Sequence, residues 1–202
     1  MAESSSQSDI QPVDLLKIRP NGDQPETITG TEGDDLIDGY GGDDTITGLG
    51  GDDILIGGDG NDVIDGGSGT NRLYADAGDD TITSSGTNDV VDAGEGNNTI
   101  YISGNRGTYT SGSGDDNYFI QDDASGDIRI NVGEWDNSFV IEDDSRGQLF
   151  INDWNSPLVE GSQIIEMSGG TAREIYLGNG DDVFNINEGS SSSSSSIYTR
   201  GG

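Results

Sequence analysis

Residues Gly50–Gly67 read GGDDILIGGDGNDVIDGG. Five aspartates sit among a few aliphatic residues, with a glycine at nearly every break. Carboxylates this close repel one another, and each resists leaving water. A chain that buries Ile54, Leu55, Val63 and Ile64 must therefore compensate the charge beside them. The surrounding sequence shows how.

The 202 residues include 39 acidic and 8 basic side chains, for a formal net charge of −31. Leu, Ile, Val and Phe make up about a fifth of the chain, near the composition limit for folding. Gly contributes 34 residues, more than twice its usual share. With the charge uncompensated, such a chain stays unfolded. There is no Cys and no His, which excludes disulfides, thiolate nucleophiles, thiolate–imidazole zinc sites and His-based relays. The acidity argues against nucleic acid and anionic membrane surfaces as partners. No apolar run approaches the ~20 residues of a membrane span. The N-terminal MAESSSQSDIQPVD has neither the basic nor the apolar region of a Sec-type signal peptide.

From Asn21 to Phe119 the chain divides without insertion into eleven nonapeptides, and GGDGNDVID (Gly57–Asp65) is one of them. The eighth position is apolar or aromatic throughout: Ile28, Ile37, Ile46, Leu55, Ile64, Leu73, Ile82, Val91, Ile100, Tyr109 and Tyr118. Its neighbours are mostly polar, which predicts a three-residue strand with one inward side chain. Gly crowds the first four positions, as a tight turn with positive φ requires. The sixth position holds Glu26, Asp35, Asp44, Asp53, Asp62, Asn71, Asp80, Asp89, Asn98, Gly107 and Asp116, an oxygen donor in all units but one. A solvated acidic face has no reason to lock Gly, Asp and an aliphatic residue to one nine-residue phase.

Strand and turn in alternation predict an all-β parallel solenoid of two flattened sheets. Two units would make one coil, and coils would stack ~4.8 Å apart. Turns two units apart then share an edge, and their sixth-position side chains face each other across a gap lined by glycine carbonyls, among them Gly42, Gly51, Gly58 and Gly60. Hard oxygen donors without nitrogen or sulfur favour Ca²⁺, which takes 6–8 oxygens in irregular geometry, over the smaller, octahedral Mg²⁺.

The unit GGDGNDVID satisfies every specified position of G-G-x-G-x-D-x-U-x, and GYGGDDTIT and GLGGDDILI each miss one glycine. In this the chain resembles the calcium-binding nonapeptide repeats of the RTX (repeats-in-toxin) proteins. The resemblance covers about half the chain. It implies a β-roll, Ca²⁺ held between same-edge turns, and signal-peptide-independent type I secretion.

The sites differ in quality. One edge carries Glu26, Asp44, Asp62, Asp80, Asn98 and Asp116; the other carries Asp35, Asp53, Asn71, Asp89 and Gly107. Pairs with Asp on both sides (Asp44/Asp62, Asp62/Asp80, Asp35/Asp53) are expected to bind best, and pairs with one Asn more weakly. Asp89/Gly107 is expected to fail, beside Arg106 in the turn. The expectation is about three to eight ions.

After Phe119 a 21-residue echo replaces the nonapeptide: FIQDDASGDIRIN (Phe119–Asn131) resembles VIEDDSRGQLFIN (Val140–Asn152). LGNGDDVFN returns to the shorter form, with Asp182 at the ligand position, and Arg173 stands where a cation could replace calcium. The predicted organisation is a polar tail and N-terminal cap (1–20), the calcium-binding roll (21–119), a wider solenoid cap (120–189) and a Ser-rich tail (190–202). Trp135 and Trp154 either pack this cap or offer a platform for sugar. The expected role is non-enzymatic: an extracellular structural or adhesive protein that folds on calcium, with itself or a surface polysaccharide as partner. An accessory module of a larger secreted protein and a polysaccharide-acting solenoid are the alternatives.

Overall fold

The computed structural model describes residues 16–18, 22–121, 123–133, 136–142, 146–151, 164–167, 174–177, 183–186 and 196–199. Asp182, Trp135, Trp154 and Arg173 lie outside the described residues. Strands follow one another as β1 (Leu16–Ile18), β2 (Thr27–Thr29), β3 (Asp35–Asp38), β4 (Thr45–Thr47), β5 (Ile54–Asp59), β6 (Val63–Asp65), β7 (Arg72–Ala77), β8 (Thr81–Ser84), β9 (Thr87–Asp92) and β10 (Thr99–Ile102). They continue as β11 (Asn105–Thr110), β12 (Asn117–Ile120), β13 (Ser125–Asn131), β14 (Ser138–Ile141), β15 (Arg146–Ile151), β16 (Ile164–Met167), β17 (Glu174–Leu177), β18 (Val183–Ile186) and β19 (Ser196–Thr199).

Odd strands β1 to β15 form one sheet and even strands β2 to β18 the other, each strand hydrogen-bonded to the next of its own parity. From β1 to β16 successive strands therefore alternate between the two sheets, and pairing within each sheet is parallel. This is a β-solenoid. The register is 18 residues through the repeats, as in Ile46↔Ile64 and Ile100↔Tyr118. It becomes 21 residues in the next coils, where Tyr118 lies beside Phe139 and Ile130 beside Ile151. The 21-residue echo in the sequence is thus the length of one wider coil. β17 and β19 form a separate parallel pair.

The eighth-position side chains, from Ile37 through Tyr118, are almost completely buried between the sheets. Ala75 and Ala93, at the first position, join them. The wider coils place a second apolar residue inside, as with Ile128 and Ile130, or Phe139 and Ile141. Tyr118 and Phe139 stack at 5.1 Å in this interior.

Two details depart from the simple strand–turn reading. β2, β4 and β6 have three residues, but β5, β7, β9 and β11 have six: β5 and β7 also pair beyond the buried Leu55 and Leu73, whereas β9 and β11 also pair ahead of the buried Val91 and Tyr109. Positive φ recurs at two positions of the unit, besides Asn88 and Arg106 at the fifth. The second position takes a left-handed φ near 70° that Tyr40, Leu49 and Asp76 all adopt. The fourth takes φ of 105° at Gly42, 116° at Gly51 and 136° at Gly60, a region open essentially to glycine alone.

Candidate calcium column

The sixth-position side chains do more than face each other. From Asp44 on one edge and from Asp53 to Asp89 on the other, each Asp or Asn accepts a hydrogen bond from the backbone N–H of its equivalent one coil earlier. Along one edge Glu26 N donates to Asp44 Oδ1 (2.8 Å), Asp44 N to Asp62 (2.8 Å), Asp62 N to Asp80 (2.7 Å), Asp80 N to Asn98 (3.0 Å) and Asn98 N to Asp116 (2.9 Å). The series runs one coil past the repeats, where Asp116 N donates to Asn137 Oδ1 at 2.9 Å. On the other edge Asp35 N donates to Asp53, Asp53 N to Asn71 and Asn71 N to Asp89. An amide oxygen makes this bond as well as a carboxylate does, so Asn fits where only the ladder is needed. Charge is needed for something else.

That need lies on the second carboxylate oxygen. Asp44, Asp53, Asp62, Asp80 and Asp116 are all at most 1% exposed, and the Oδ2 of each has no hydrogen-bond partner. A buried carboxylate left in this state is strongly disfavoured. Burial accordingly pushes the carboxyls of Asp53 and Asp62 up to about 6 and that of Asp80 to about 7; the neighbouring backbone N–H opposes the shift and nearby carboxylates add to it. Asp44 and Asp116 are raised for the same leading reason.

Beside these oxygens lie backbone carbonyls. A Cβ on Gly39 would run into Asp44 Oδ2 and lie 2.6 Å from Gly57 O; one on Gly48 would meet Asp53 Oδ2 and Gly66 O; one on Gly57 would meet Asp62 Oδ2 and Ala75 O. Each cradle joins a first-position glycine, the sixth-position carboxylate of its own unit and the first-position carbonyl one coil on. Among the described residues no three carboxylates gather at one point. A cation here would be shared by carboxylate and carbonyl oxygens, a donor set of the kind Ca²⁺ takes. The residues present fit that ion.

The carbonyls of Gly57, Gly66 and Ala75 were not singled out in the sequence. The nine-residue phase held the signal, since first-position glycine is what allows the close approach. Gly42, Gly51 and Gly60 instead direct their carbonyls at the fourth-position glycines Gly60, Gly69 and Gly78 one coil on, and Gly58 packs on the Tyr40 carbonyl. A second ladder also went unread. Fifth-position residues Asp34, Asp43, Asp52, Asn61, Asp79, Asn97 and Asp115 accept from the backbone N–H of the following coil, opposite in sense to the sixth-position ladder and exposed to solvent.

The edges are unequal. Asp35 Oδ2 already accepts from the N–H and hydroxyl of Thr31. Asp89 Oδ2 accepts from Ser84 Oγ at 2.7 Å and Gly86 N at 3.2 Å. Ser84 Oγ also lies 3.0 Å from the Tyr109 hydroxyl. The Tyr109 ring fills the space a side chain on Gly107 would occupy. Absence of a ligand at Gly107 is thus matched by a tyrosine that, through Ser84, closes the Asp89 end with protein groups alone.

Fold and oxygen columns together define a calcium-binding β-solenoid. Residues 21–55, 38–73, 47–82 and 65–100 each match the RTX calcium-binding nonapeptide repeat. No curated protein and no solved structure matches the chain.

Proposed function

We propose that the chain is an exported, non-enzymatic protein that is unfolded by its own charge at low calcium, folds when it meets calcium outside the cell, and then serves a structural or adhesive role. The observation that carries this reading is the set of buried, unpartnered Asp Oδ2 atoms, three of which, at Asp44, Asp62 and Asp80, are spaced one coil apart. Because binding and folding are one equilibrium in such a site, the direction of folding follows the ion gradient across the membrane. RTX repeats are typical of secreted proteins, and extracellular calcium modules work at Kd of ~10⁻⁴–10⁻³ M.

The even-strand sheet supports a surface role. Its strands contain no Lys or Arg, and their charged residues are Asp65 and Glu166. The odd strands carry Lys17, Arg72, Arg106, Arg129, Arg146 and many aspartates. A face bearing Thr45, Thr47, Thr81, Thr83 and the stacked Tyr101–Phe119 pair (5.0 Å), with Asp65 in register between Thr47 and Thr83, lets a second copy or a neutral polysaccharide approach a strongly acidic protein against few opposing carboxylates.

Sedimentation velocity with far-UV circular dichroism, in chelator and then in about 1 mM calcium, tests the reading. The expected result is a slow, expanded species that becomes compact and β-rich. Large ordered oligomers would favour self-assembly over adhesion as a monomer. An unchanged profile would end the calcium-folding reading.

A further inference from the structure

In the even sheet, the seventh and ninth positions of each unit face outward on either side of the buried eighth. From Thr27 to Thr83 these positions are threonine except in β6, which has Val63 and Asp65. Thr99 with Tyr101, then Asn117 with Phe119, continue the two columns in register. The strip is nearly free of charge, but its flanks are not. Asp43, Asp79 and Asp115 line one turn edge, and Asp34 and Asp52 the other.

Tyr101 breaks the level of this strip. Its ring and that of Phe119 lie 5.0 Å apart at 17°, and near-parallel rings this close overlap face to face. One face of Tyr101 is therefore turned along the solenoid axis to Phe119, and the other toward Thr83, its partner one coil earlier. Threonine ends at Oγ1 and Cγ2, so the outer part of the ring stands above it, and Tyr101 keeps partial exposure. The relief is a step, with an aromatic wall over a floor of Thr81 and Thr83. Asp65 lies one coil further along that floor, its Oδ1 held by Gly67 N at 3.0 Å.

Size and charge select the occupant. The nine strands of this sheet, ~4.8 Å apart with three residues across, make a strip of ~38 Å by ~10 Å. That is roughly 400 Å², half of the ~800 Å² that each side of a stable protein pair buries. A second copy would have to widen the contact onto the flanks, where its carboxylates would meet their own equivalents. An acidic chain is repelled there as well. A neutral sugar is not, and it needs only an aromatic face beside a few fixed polar groups.

We propose that the step binds a neutral polysaccharide. One sugar ring stands with its C–H face against Tyr101, the Thr81 and Thr83 hydroxyls beneath its hydroxyl edge, and the Asp65 carboxylate accepting from a hydroxyl on its far side. This commits the surface role proposed above to one partner and rests on the calcium-folded solenoid.

Affinity electrophoresis in about 1 mM calcium, through gels cast with laminarin, mannan, dextran or hydroxyethyl cellulose, and with hyaluronan as the acidic counterpart, tests it. The parent chain is expected to be retarded by at least one neutral glycan and not by hyaluronan. Tyr101→Ala should weaken that retention about tenfold, the upper end of what an aromatic contact contributes, and Tyr101→Phe should preserve it. Thr83→Val keeps the branched shape, removes one hydroxyl and should weaken retention roughly threefold. Tyr74→Ala removes an aromatic from the odd sheet and should change nothing. Circular dichroism checks that each variant folds in calcium; if Tyr101→Ala does not, Thr83→Val decides. In a calcium-folded chain, no retardation by any neutral glycan, retention by hyaluronan alone, or retention unchanged in the folded test variants overturns the proposal and leaves the calcium reading standing. Dimerisation in sedimentation velocity that Tyr101→Ala abolishes would assign the strip to a second copy and overturn it too. A parent chain that stays unfolded in calcium overturns the reading beneath it.

Discussion

A single atom separates the glycines that build the column from those that merely fill a turn. A Cβ on Gly39 would meet a carboxylate and a backbone carbonyl that the ladder holds in place, whereas one on Gly41 has its nearest neighbour, Asp59 O, at 3.4 Å. Gly39→Ala is therefore expected to cost about 1–3 kcal/mol, as overpacking of a tight site does. It should raise the calcium concentration at the folding midpoint. Gly41→Ala should stay within about 0.5 kcal/mol of the parent. Calcium titrations followed by circular dichroism compare the two directly, and equal midpoints would mean that the cradle at Gly39 is not an ion site. The same logic explains why Asn71 and Asn98 are tolerated: the ladder requires an acceptor, and the ion requires a charge.

At the scale of the element, the two edges have different ways of closing. One keeps unpartnered carboxylate oxygens at Asp44, Asp62, Asp80 and Asp116. The other keeps one at Asp53 and ends at the Ser84–Asp89–Tyr109 cluster. Ser84→Ala would remove a donor from a fully buried carboxylate and leave the Tyr109 hydroxyl without that partner. Loss of stability of about 1–3 kcal/mol is expected, the usual consequence of unsatisfying a buried polar group. Urea unfolding in saturating calcium measures it, and an unchanged midpoint would show that the cluster contributes nothing to the coil.

Across the whole molecule the buried carboxylates act together on folding. Their carboxyls lie above the ordinary value of 3.8, at about 6 for Asp53 and Asp62 and about 7 for Asp80, because burial penalises the charged form. A folded state with raised carboxyl pKa values binds more protons than the unfolded chain. Its stability is present at low pH and is lost as pH rises through the folded values, here between about 4 and 7. In chelator, β structure should therefore increase as pH falls from 7.5 towards 5, above the pI of about 4.1. Calcium competes with those protons, so its apparent affinity should fall over the same range and its binding should release protons. Circular dichroism and calorimetry in two buffers of different ionisation heat check both signs. A chelated chain that loses β structure on acidification would contradict the assignment of these carboxylates.

The amino-acid sequence alone determined the period, and with it the alternation of sheets, the inward eighth-position residues from Ile28 to Tyr118 and the 18- and 21-residue coils. A solenoid repeats its contacts at a fixed chain offset, so its pairing partners are written as a spacing. It also determined which residues could carry the ligand charge. Only the tertiary structure decided which oxygens are free to use it. Asp35 and Asp53 look alike in their nonapeptides, yet Thr31 engages one and leaves the other open. Asp89 and Asp116 both follow a first-position serine, yet one carboxylate is closed by Ser84 and the other is not. Which carbonyls approach a carboxylate, and whether a hydroxyl reaches it, depends on the stacking of neighbouring coils to within a fraction of an ångström, and residue order does not fix distances that small.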